Sequence, residues 1–476
     1  MPWIGFVFLM GHMSVSHIYR HWVNDPSVID VTGAQMVLVM KLTAFCWNVH
    51  DGRLPQAELT DHQRDRAIVG GLPSFLDYAA YVLFFPSLFA GPAFDYVDYK
   101  RWINTDMFDL PAGTDPTKAP PTRKKRKIPR SGTPAMMKLF AGLIWILGFL
   151  KMSGIYYPHV VLEPSYLKYS LPRRILILIL MTFTVRMKYY GVWALTEGAC
   201  ILTGIGYKGL NPKTGAADWT RLQNVNPIGI ELAQNTRAFL GNWNMNTNNW
   251  LRNYMYLRVT PKGKKPGFRA SLATFTTSAF WHGFEPGYYM AFILASFLQT
   301  SAKHARRLFR PFFLTPDGTK PLPRKRWYDV ASWFVTQTVF AFTTAPFILL
   351  TASACWECWT RVYFYGIALA LGSLAFFNSP ARGLLSARVK SYTGQKRPGI
   401  QRWESTDSVK APHLGLPDDP QKDVEEAFEE ARREIEARFG GDGSAEGKTA
   451  EVQQAVKEKA QQILRQKSDI DVKKLT

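Results

Sequence analysis

The sequence predicts an all-α protein: a polytopic bundle of membrane helices in residues 1–385, followed by a soluble, charged helical tail in residues 386–476. Two observations support this prediction. Of the 476 residues, 47% are hydrophobic and 14% are aromatic, and the apolar residues are bunched in long runs. These runs stop near Ser386, and charged residues become frequent after it. Such bunching is typical of membrane proteins.

Five apolar runs approach the length of about 20 residues that a helix needs to cross a bilayer. They comprise residues 74–92, 136–152, 174–185, 331–352 and 362–377. The chain opens with MPWIGFVFLMGHMSVSHIY, which has no charged leader and no small-residue cleavage site, so we expect a first span rather than a signal peptide. Asp77, Pro86 and Pro346 interrupt these runs and favour helices inside a bundle over lipid-facing spans.

The formal net charge of +21 arises from 58 Lys and Arg against 37 Asp and Glu. Much of the excess lies in clusters between the apolar runs, at residues 123–127, 262–265, 304–310 and 324–326. Basic clusters in such positions are typical of loops that stay on the cytosolic side of a membrane. We therefore expect a lipid bilayer around the chain and no nucleic-acid partner.

The four cysteines are too few for a disulfide framework in a chain of this size; they are Cys46, Cys200, Cys355 and Cys358. Cys355 and Cys358 have CxxC spacing, but no second pair and no histidine lies nearby in the sequence. We therefore expect buried thiols and no metal site, with metal or redox use as the alternative.

The tail pattern predicts two amphipathic helices. Asp419 can cap the first helix, Pro420 occupies its first turn, and Gly440 and Gly441 end it. Apolar residues recur at helical spacing on one face of each helix, at Val424, Ala427, Phe428, Ala431 and Ile435, and at Val452, Val456, Ala460 and Ile463. We expect a surface hairpin or a membrane-lying tail, with specific partner binding as the alternative.

A histidine interrupts the apolar run 271–300, within the stretch SAFWHGFEPGYY. Basic clusters flank this run on both sides, and if both are cytosolic the run must enter the membrane and return. It divides at residues 285–287 into halves of 13 or 14 residues, each too short to cross about 30 Å. A re-entrant hairpin and one long kinked helix are both compatible with the pattern. Either arrangement buries His282, and a buried intramembrane histidine indicates function.

The stretch FLGNWNMNTNNWLRNYMYLRV at residues 239–259 is the second unusual feature. Five asparagines within eleven residues cannot belong to a lipid-facing span, because their amides would lack partners. If the stretch is helical, Asn244, Asn248, Leu251 and Arg252 share one face. That polar face lies 38 residues upstream of His282.

The two stretches together, NWNMNTNNWLRNYMYLRV and SAFWHGFEPGY, resemble the membrane-bound O-acyltransferases, specifically the fungal-type lysophospholipid acyltransferases. Residues 184–207 and 84–96 are also similar to that branch, and the resemblance covers about residues 1–400. It implies a helical bundle with re-entrant segments in which Asn244 and His282 face one reaction chamber. Members of the family usually carry one or two further N-terminal spans, which leaves the number of spans open.

The resemblance implies acyl transfer from acyl-CoA, as co-substrate, to the free hydroxyl of a lysophospholipid, without a cofactor. His282 would be the general base, and Asn244 would stabilise the oxyanion or orient a substrate. No Cys or Ser stands in a nucleophile motif, so we expect direct transfer without a covalent acyl-enzyme. Acylation of diacylglycerol, a sterol or a peptide is the alternative within the family. A transporter with an intramembrane His path is the alternative outside it.

Further candidates for substrate binding lie beside the two motif residues. Arg252, Arg258 and the lysines of 262–265 would meet the phosphates of coenzyme A, or serve only as topology determinants. Ser278 lies one helical turn before His282, where packing between helices is the competing role. The remaining candidates are Trp243, Asn248, Tyr254, Trp281 and Glu285.

The chain ends in KKLT, with Lys473 and Lys474 at the fourth and third positions from the carboxyl end. This pattern resembles the dilysine signal that cytosolic retrieval machinery reads on membrane proteins of the endoplasmic reticulum, although two lysines arise easily by chance in a Lys-rich tail. The sequence therefore predicts a multi-pass protein of the endoplasmic reticulum membrane with a cytosolic C-terminus.

Overall fold

A computed structural model describes residues 2–23, 25, 27, 29–110, 119–124, 126–211, 214–260 and 268–394. Within these ranges the chain is helical apart from loops and one antiparallel pair of two-residue strands, β1 (Gly209–Leu210) and β2 (Ala217–Asp218). The predicted all-α class is therefore confirmed. The predicted tail helices, the basic residues 262–265 and the terminal Lys473 and Lys474 lie outside the described residues.

The helices follow one another in three groups along the chain. The first group comprises α1 (Pro2–Val23), α2 (Thr32–Asp51), α3 (Asp61–Arg66), α4 (Phe75–Val82), α5 (Phe85–Leu88) and α6 (Tyr96–Ile103). The second comprises α7 (Gly132–Ser153), α8 (Leu171–Thr203), α9 (Pro227–Glu231), α10 (Thr236–Gly241) and α11 (Met245–Leu251). The third comprises α12 (Phe268–His282), α13 (Pro286–Phe309), α14 (Lys325–Leu349), α15 (Ala352–Arg361), α16 (Tyr365–Asn378) and α17 (Pro380–Thr393).

Three of the predicted apolar runs form helices that are long and apolar enough to cross a bilayer. The runs 136–152, 174–185 and 331–352 correspond to the candidate spans 132–162, 171–203 and 325–349. The run 362–377 forms most of α16, which is bent by 79° relative to α15 and so makes a broken span or a re-entrant loop. The predicted first span also forms one helix, α1, from Pro2 onward.

The prediction of one continuous apolar helix over residues 74–92 is wrong. The chain forms α4 and α5 instead, of 8 and 4 residues. Pro86 lies in the first turn of α5, where proline starts a helix readily but could not continue one from α4. Two aromatic side chains of this region, Tyr81 and Phe84, are buried in a cluster with Phe45 and Phe94, whereas Phe75, Phe85 and Phe89 are exposed.

The run 271–300 breaks where the sequence predicts, but its two halves are unequal. Gly283 has a φ of +127° and ends α12, and Pro286 begins α13. At a rise of 1.5 Å per residue, α12 is about 22 Å long, shorter than the hydrocarbon layer. α13 continues to Phe309 and reaches about 36 Å, so it is longer than the predicted half of 13 or 14 residues.

The thiols of the CxxC pair are buried rather than exposed. Cys355 and Cys358 lie on α15 within the hydrophobic cluster that α8, α13, α14 and α16 share. They pack there as small apolar residues. The predicted boundary of the membrane body at residue 385 falls inside α17, which ends at Thr393.

Helices α7 and α8 approach each other through glycines. A methyl group on Gly191 would lie 2.6 Å from Ile146 and 3.1 Å from the carbonyl oxygen of Gly142. A methyl group on Gly142 would lie 3.0 Å from the carbonyl oxygen of Gly191. Small residues that let two backbones come this close are typical of helix pairs in membranes. Most of α7 otherwise remains exposed.

We expect Gly191→Val to destabilise the protein by about 1–3 kcal/mol, because the new side chain overpacks the contact between α7 and α8. Thermal unfolding of the purified protein in detergent measures the effect as a lower Tm. Gly372→Val is the matched control, since Gly372 lies on the apolar helix α16 with no atom within 4 Å of the added carbon. Equal Tm values for both variants would contradict the close approach.

Candidate active site

Asn244 lies in a tight turn between α10 and α11, not inside a helix. Its φ of +44° and ψ of +54° are left-handed, a conformation that asparagine tolerates better than most residues. Its carbonyl oxygen accepts the N–H of Asn248 at 3.1 Å, so Asn244 is the N-cap of α11. The predicted helical face with Leu251 and Arg252 is therefore wrong, because Asn244 precedes the helix and a π-helical turn, Arg252–Tyr256, follows it.

Asn224, which the sequence analysis missed, fixes this turn. Its carbonyl oxygen accepts the N–H of Met245 at 2.8 Å, and its Oδ1 accepts the N–H of Asn246 at 3.1 Å. The first N–H groups of a helix have no partner within the helix, and Asn224 supplies two of the missing acceptors for α11. No local pattern in the sequence indicates this role of Asn224.

Asn248 supports the turn from inside. Its Nδ2 donates to the carbonyl oxygens of Leu240 at 3.0 Å and Trp243 at 2.8 Å. Both amide hydrogens are therefore used to bind the backbone that leads into Asn244. The buried Asn248, which the sequence suggested as a substrate contact, positions Asn244 instead.

The side chain of Asn244 itself is only half satisfied. Its Oδ1 accepts the hydroxyl of Thr247 at 2.8 Å, which orients the amide. Within the described chain, its Nδ2 has no hydrogen-bond acceptor. The amide can therefore donate to a bound substrate.

His282 is the last residue of α12 and is surrounded by aromatic rings. Ring centroids lie 4.7 Å away for Trp281, 5.6 Å for Tyr288, 5.4 Å for Phe292 and 4.8 Å for Phe347. No hydrogen bond joins the imidazole to a described residue, and the side chain is partly exposed. Both ring nitrogens are therefore available to a substrate.

Two tryptophans bring the asparagine-rich segment and the segment of His282 together. The rings of Trp250 in α11 and Trp281 in α12 lie 6.1 Å apart. Both are held by α2, since Trp250 Nε1 donates to the hydroxyl of Thr43 at 2.9 Å and Trp281 Nε1 donates to the carbonyl oxygen of Met36 at 3.1 Å. Trp281, a predicted substrate contact, therefore joins the two motifs.

Trp243 packs against α8. Its ring centroid lies 5.6 Å from Tyr189, 6.1 Å from Tyr190 and 5.0 Å from Trp193. The residue just before Asn244 is thus fixed on the central helix. These contacts fix the position of the turn relative to α8.

Arg258 and Tyr254 are paired with acidic residues. The Arg258 guanidinium binds both carboxylate oxygens of Asp51, with 2.8 Å between Nη1 and Oδ1, and both side chains are buried. Its charge is therefore compensated by the protein, against the prediction that it meets coenzyme A phosphates. Tyr254 Oη lies 2.5 Å from Asp95 Oδ1 and 3.0 Å from Asn48 Oδ1.

The three remaining candidates occupy different surroundings. Arg252 is exposed and donates to Asn253 Oδ1 at 3.1 Å. Ser278 is buried on α12, as expected for packing between helices. Glu285 accepts a hydrogen bond from His21 Nδ1 at 2.6 Å.

A cavity of about 370 Å³ lies beside α11. Among the described residues its lining includes five cationic side chains and two carboxylates, namely Lys41, Arg66, Lys208, Arg221, Arg252, Asp95 and Asp98. Arg66 lies 2.6 Å from Asp95, and Arg221 lies 3.0 Å from Asp98. Arg252 has no carboxylate partner within the described ranges, whereas Lys41 is buried, donates to the carbonyl oxygen of Val82 at 3.3 Å and has its pKa lowered to about 7 by burial. The cavity is therefore suited to an anion.

His62 adds no charge to this cavity. Partial burial, together with the guanidinium of Arg66 at 2.9 Å, lowers the pKa of His62 to about 4. The imidazole is therefore neutral at physiological pH, and the positive charge of the cavity comes mainly from its arginines and Lys208. Trp250, which packs on Trp281, also lines the cavity.

Known proteins match the chain over most of its length. The profile of the MBOAT, or membrane-bound O-acyltransferase, family matches residues 22–345. The chain is 45% identical to the lysophospholipid acyltransferase of Schizosaccharomyces pombe, covering 82% of this chain and 75% of the relative. It is 41% identical to the lysophospholipid acyltransferase of Saccharomyces cerevisiae, covering 87% and 68%.

A human relative is more distant. The chain is 31% identical to the human membrane-bound glycerophospholipid O-acyltransferase 2, over 73% of this chain and 64% of the relative. The resemblance found in the two motifs is confirmed by these matches. This multi-pass membrane protein belongs to the membrane-bound O-acyltransferase family.

Proposed function

We propose that this protein transfers an acyl chain from acyl-CoA to the free hydroxyl of a lysophospholipid. The observation that carries the proposal is the unused hydrogen-bonding capacity of His282 and Asn244 in two segments that pack on each other through Trp250 and Trp281. The names of the two yeast relatives support a lysophospholipid as the acceptor. Lysophosphatidylcholine, lysophosphatidylethanolamine and lysophosphatidic acid are the acceptors to compare.

His282 acts as the general base in the proposed reaction. One imidazole nitrogen takes the proton of the acceptor hydroxyl while its oxygen attacks the thioester carbonyl carbon. The tetrahedral intermediate then collapses, the carbon–sulfur bond breaks, and the imidazolium returns the proton to the thiolate of coenzyme A. The ester forms directly, without a covalent acyl-enzyme.

Asn244 supplies the second catalytic group. The amide Nδ2, which has no acceptor among the described residues, donates to the thioester oxygen as it becomes an oxyanion. Thr247 holds the amide in one orientation, and Asn224 and Asn248 hold the backbone below it. A donor fixed in advance needs no rearrangement during the reaction.

The cationic cavity beside α11 is the proposed entry for acyl-CoA. Coenzyme A carries a pyrophosphate and a 3′-phosphate, and guanidinium groups bind phosphates well. Arg252 supports this assignment because it is exposed, lines the cavity and has no carboxylate partner in the described chain. The shared residue Trp250 connects this cavity to the surroundings of His282.

We also infer that the protein resides in the endoplasmic reticulum membrane with its tail in the cytosol. The dilysine pattern at Lys473 and Lys474 supports this location. The basic clusters at residues 123–127 and 304–310 support a cytosolic side that is shared with the tail.

The decisive experiment offers one labelled acyl-CoA and a panel of acceptors to the purified protein in detergent. We expect label in the phospholipid product with lysophospholipids and none with diacylglycerol or a sterol. If only diacylglycerol or the sterol became labelled, the acceptor would be a neutral lipid and not a lysophospholipid. A transporter would incorporate no label with any acceptor.

We expect His282→Ala to abolish this transfer, because the variant lacks the base. Asn244→Ala should lower kcat by roughly 10²- to 10³-fold, as for other lost oxyanion donors. Both variants should elute like the parent protein, and Asn244→Ala should melt slightly lower, because alanine tolerates the left-handed conformation at this position less well than asparagine. His12→Ala on α1 and Asn104→Ala after α6 are matched controls, since both residues are exposed. Normal turnover of a folded His282→Ala protein would refute the mechanism.

Arg252→Ala should raise the KM for acyl-CoA by roughly tenfold, because one charge-assisted hydrogen bond worth about 1.5 kcal/mol is lost. The KM for the lysophospholipid should not change. The exposed Arg53 provides the control Arg53→Ala. Arg258→Ala should instead destabilise the fold, because it leaves Asp51 buried without a partner. An unchanged KM for acyl-CoA in Arg252→Ala would exclude the cavity as the phosphate site.

Changing Lys473 and Lys474 to serine should let the protein reach later compartments, while its activity in isolated membranes stays the same. Fluorescence microscopy of a tagged chain, with the tag placed away from the C-terminus, measures the location. Serine at Lys457 and Lys459 is the control, since it removes the same charge elsewhere in the tail. Retention of the double variant in the endoplasmic reticulum, or a tail protected from cytosolic protease, would overturn this inference.

A further inference from the structure

The loop that follows His282 is held by the first helix of the protein. His17 of α1 is buried, and its Nε2 lies 3.3 Å from the carbonyl oxygen of Trp281. This carbonyl belongs to the last turn of α12, where the carbonyl groups have no partner within the helix. A histidine more than 260 residues away in the chain therefore completes the helix end that carries His282.

The ring of His17 also covers the turn itself. Gly283 has a φ of +127°, and a methyl group on it would lie 3.2 Å from His17 Nδ1. The ring of His17 makes an edge contact with Phe284, with 6.5 Å between the centroids. His17 therefore lies against Trp281, Gly283 and Phe284, the residues that flank His282.

One helical turn further along α1, His21 holds the end of the same loop. Its Nδ1 lies 2.6 Å from Glu285 Oε1, the residue that precedes α13. The two histidines are four residues apart, so they lie on the same face of α1. Nearby, Arg20 ties α1 to the start of α2 through Asp30 at 3.1 Å, which limits its movement.

We propose that His17 and His21 are positioning residues for acyl transfer, holding the loop of residues 281–285 so that the His282 imidazole points at the acceptor hydroxyl. This inference rests on the proposed function, since it assigns His282 as the base. His282 has ring contacts but no hydrogen bond to a described residue, so its direction depends on the backbone that carries it. A displacement of about 1 Å in a reacting group can reduce turnover by as much as 10²-fold.

The geometry also reassigns Glu285. The sequence suggested a substrate contact, whereas one of its oxygens is held by His21. Glu285 then acts on the reaction through the loop. His21→Ala and Glu285→Ala should lower kcat by a similar factor, and the double variant should lose no more than either single variant, because all three remove the hydrogen bond between His21 and Glu285.

The choice of substitutions separates positioning from general packing. Glutamine carries an amide nitrogen at about the reach of histidine Nε2, and asparagine carries one at about the reach of Nδ1. His17→Gln can therefore still donate to the Trp281 carbonyl, whereas His17→Asn is too short. For His21, which uses Nδ1, asparagine is the conservative variant.

The experiment measures kcat and KM for both substrates in detergent, with Tm recorded for every variant. We expect His17→Ala and His17→Asn to lower kcat by roughly 10- to 100-fold, with each KM within about twofold of the parent value. His17→Gln should recover most of the loss. His12→Ala, on the exposed face of the same helix, should behave like the parent protein.

Each outcome bears on the inference. Equal kcat values for His17→Gln and His17→Asn at equal Tm would overturn the positioning role, even if His17→Ala failed to fold. Parent-like kcat in His17→Ala would do the same. If the parent protein transferred no acyl group, the proposed function itself would fail. A parent protein that needs His282 but tolerates the His17 series would refute only this inference.

Discussion

A polar group inside a membrane protein must find a partner within the protein, because lipid offers none. This constraint shapes the asparagine-rich segment. The left-handed turn at Asn244 leaves backbone groups on both sides without helical partners, and Asn224 and Asn248 pair with them. Part of the abundance of asparagine therefore has a structural cause, because Asn248 within the segment and Asn224 outside it hold the turn that carries Asn244.

The same constraint makes α2 the common support of both motifs. Along this helix, Met36, Thr43, Asn48 and Asp51 receive Trp281, Trp250, Tyr254 and Arg258 in that order. A helix with this many polar residues is not recognised as a span by length and apolar content, and α2 does not meet that criterion. Thr43, Asn48 and Asp51 are polar residues of α2 that form hydrogen bonds with the two motifs.

The sequence could predict the fold where one local property decides it. The runs within α7 and α14 are long and apolar, as helices that face lipid or other helices must be. The hydrophobic pattern alone was therefore sufficient to predict these two helices. The run 74–92 is equally apolar, yet it folds into α4 and α5, because hydrophobicity alone does not distinguish the interior of a protein from lipid. The motif residues were identified by their unusual surroundings. Asn224, His17 and the partner of Arg258 were missed, since each acts across a long stretch of sequence that no local pattern reports.

Hydrogen-bond partners also distinguish the candidate residues that support the site from those that are available to a substrate. Asn248, Arg258 and Glu285 stood beside Asn244 and His282 as candidates, and each has a protein partner for its polar group. A side chain whose donors are already bound by the protein gains little by meeting a substrate. The His282 imidazole and the Nδ2 of Asn244 are partly exposed and have no such partner in the described chain, so their hydrogen-bonding capacity is available to a bound molecule. This free capacity fits the roles in acyl transfer that we propose for the two residues.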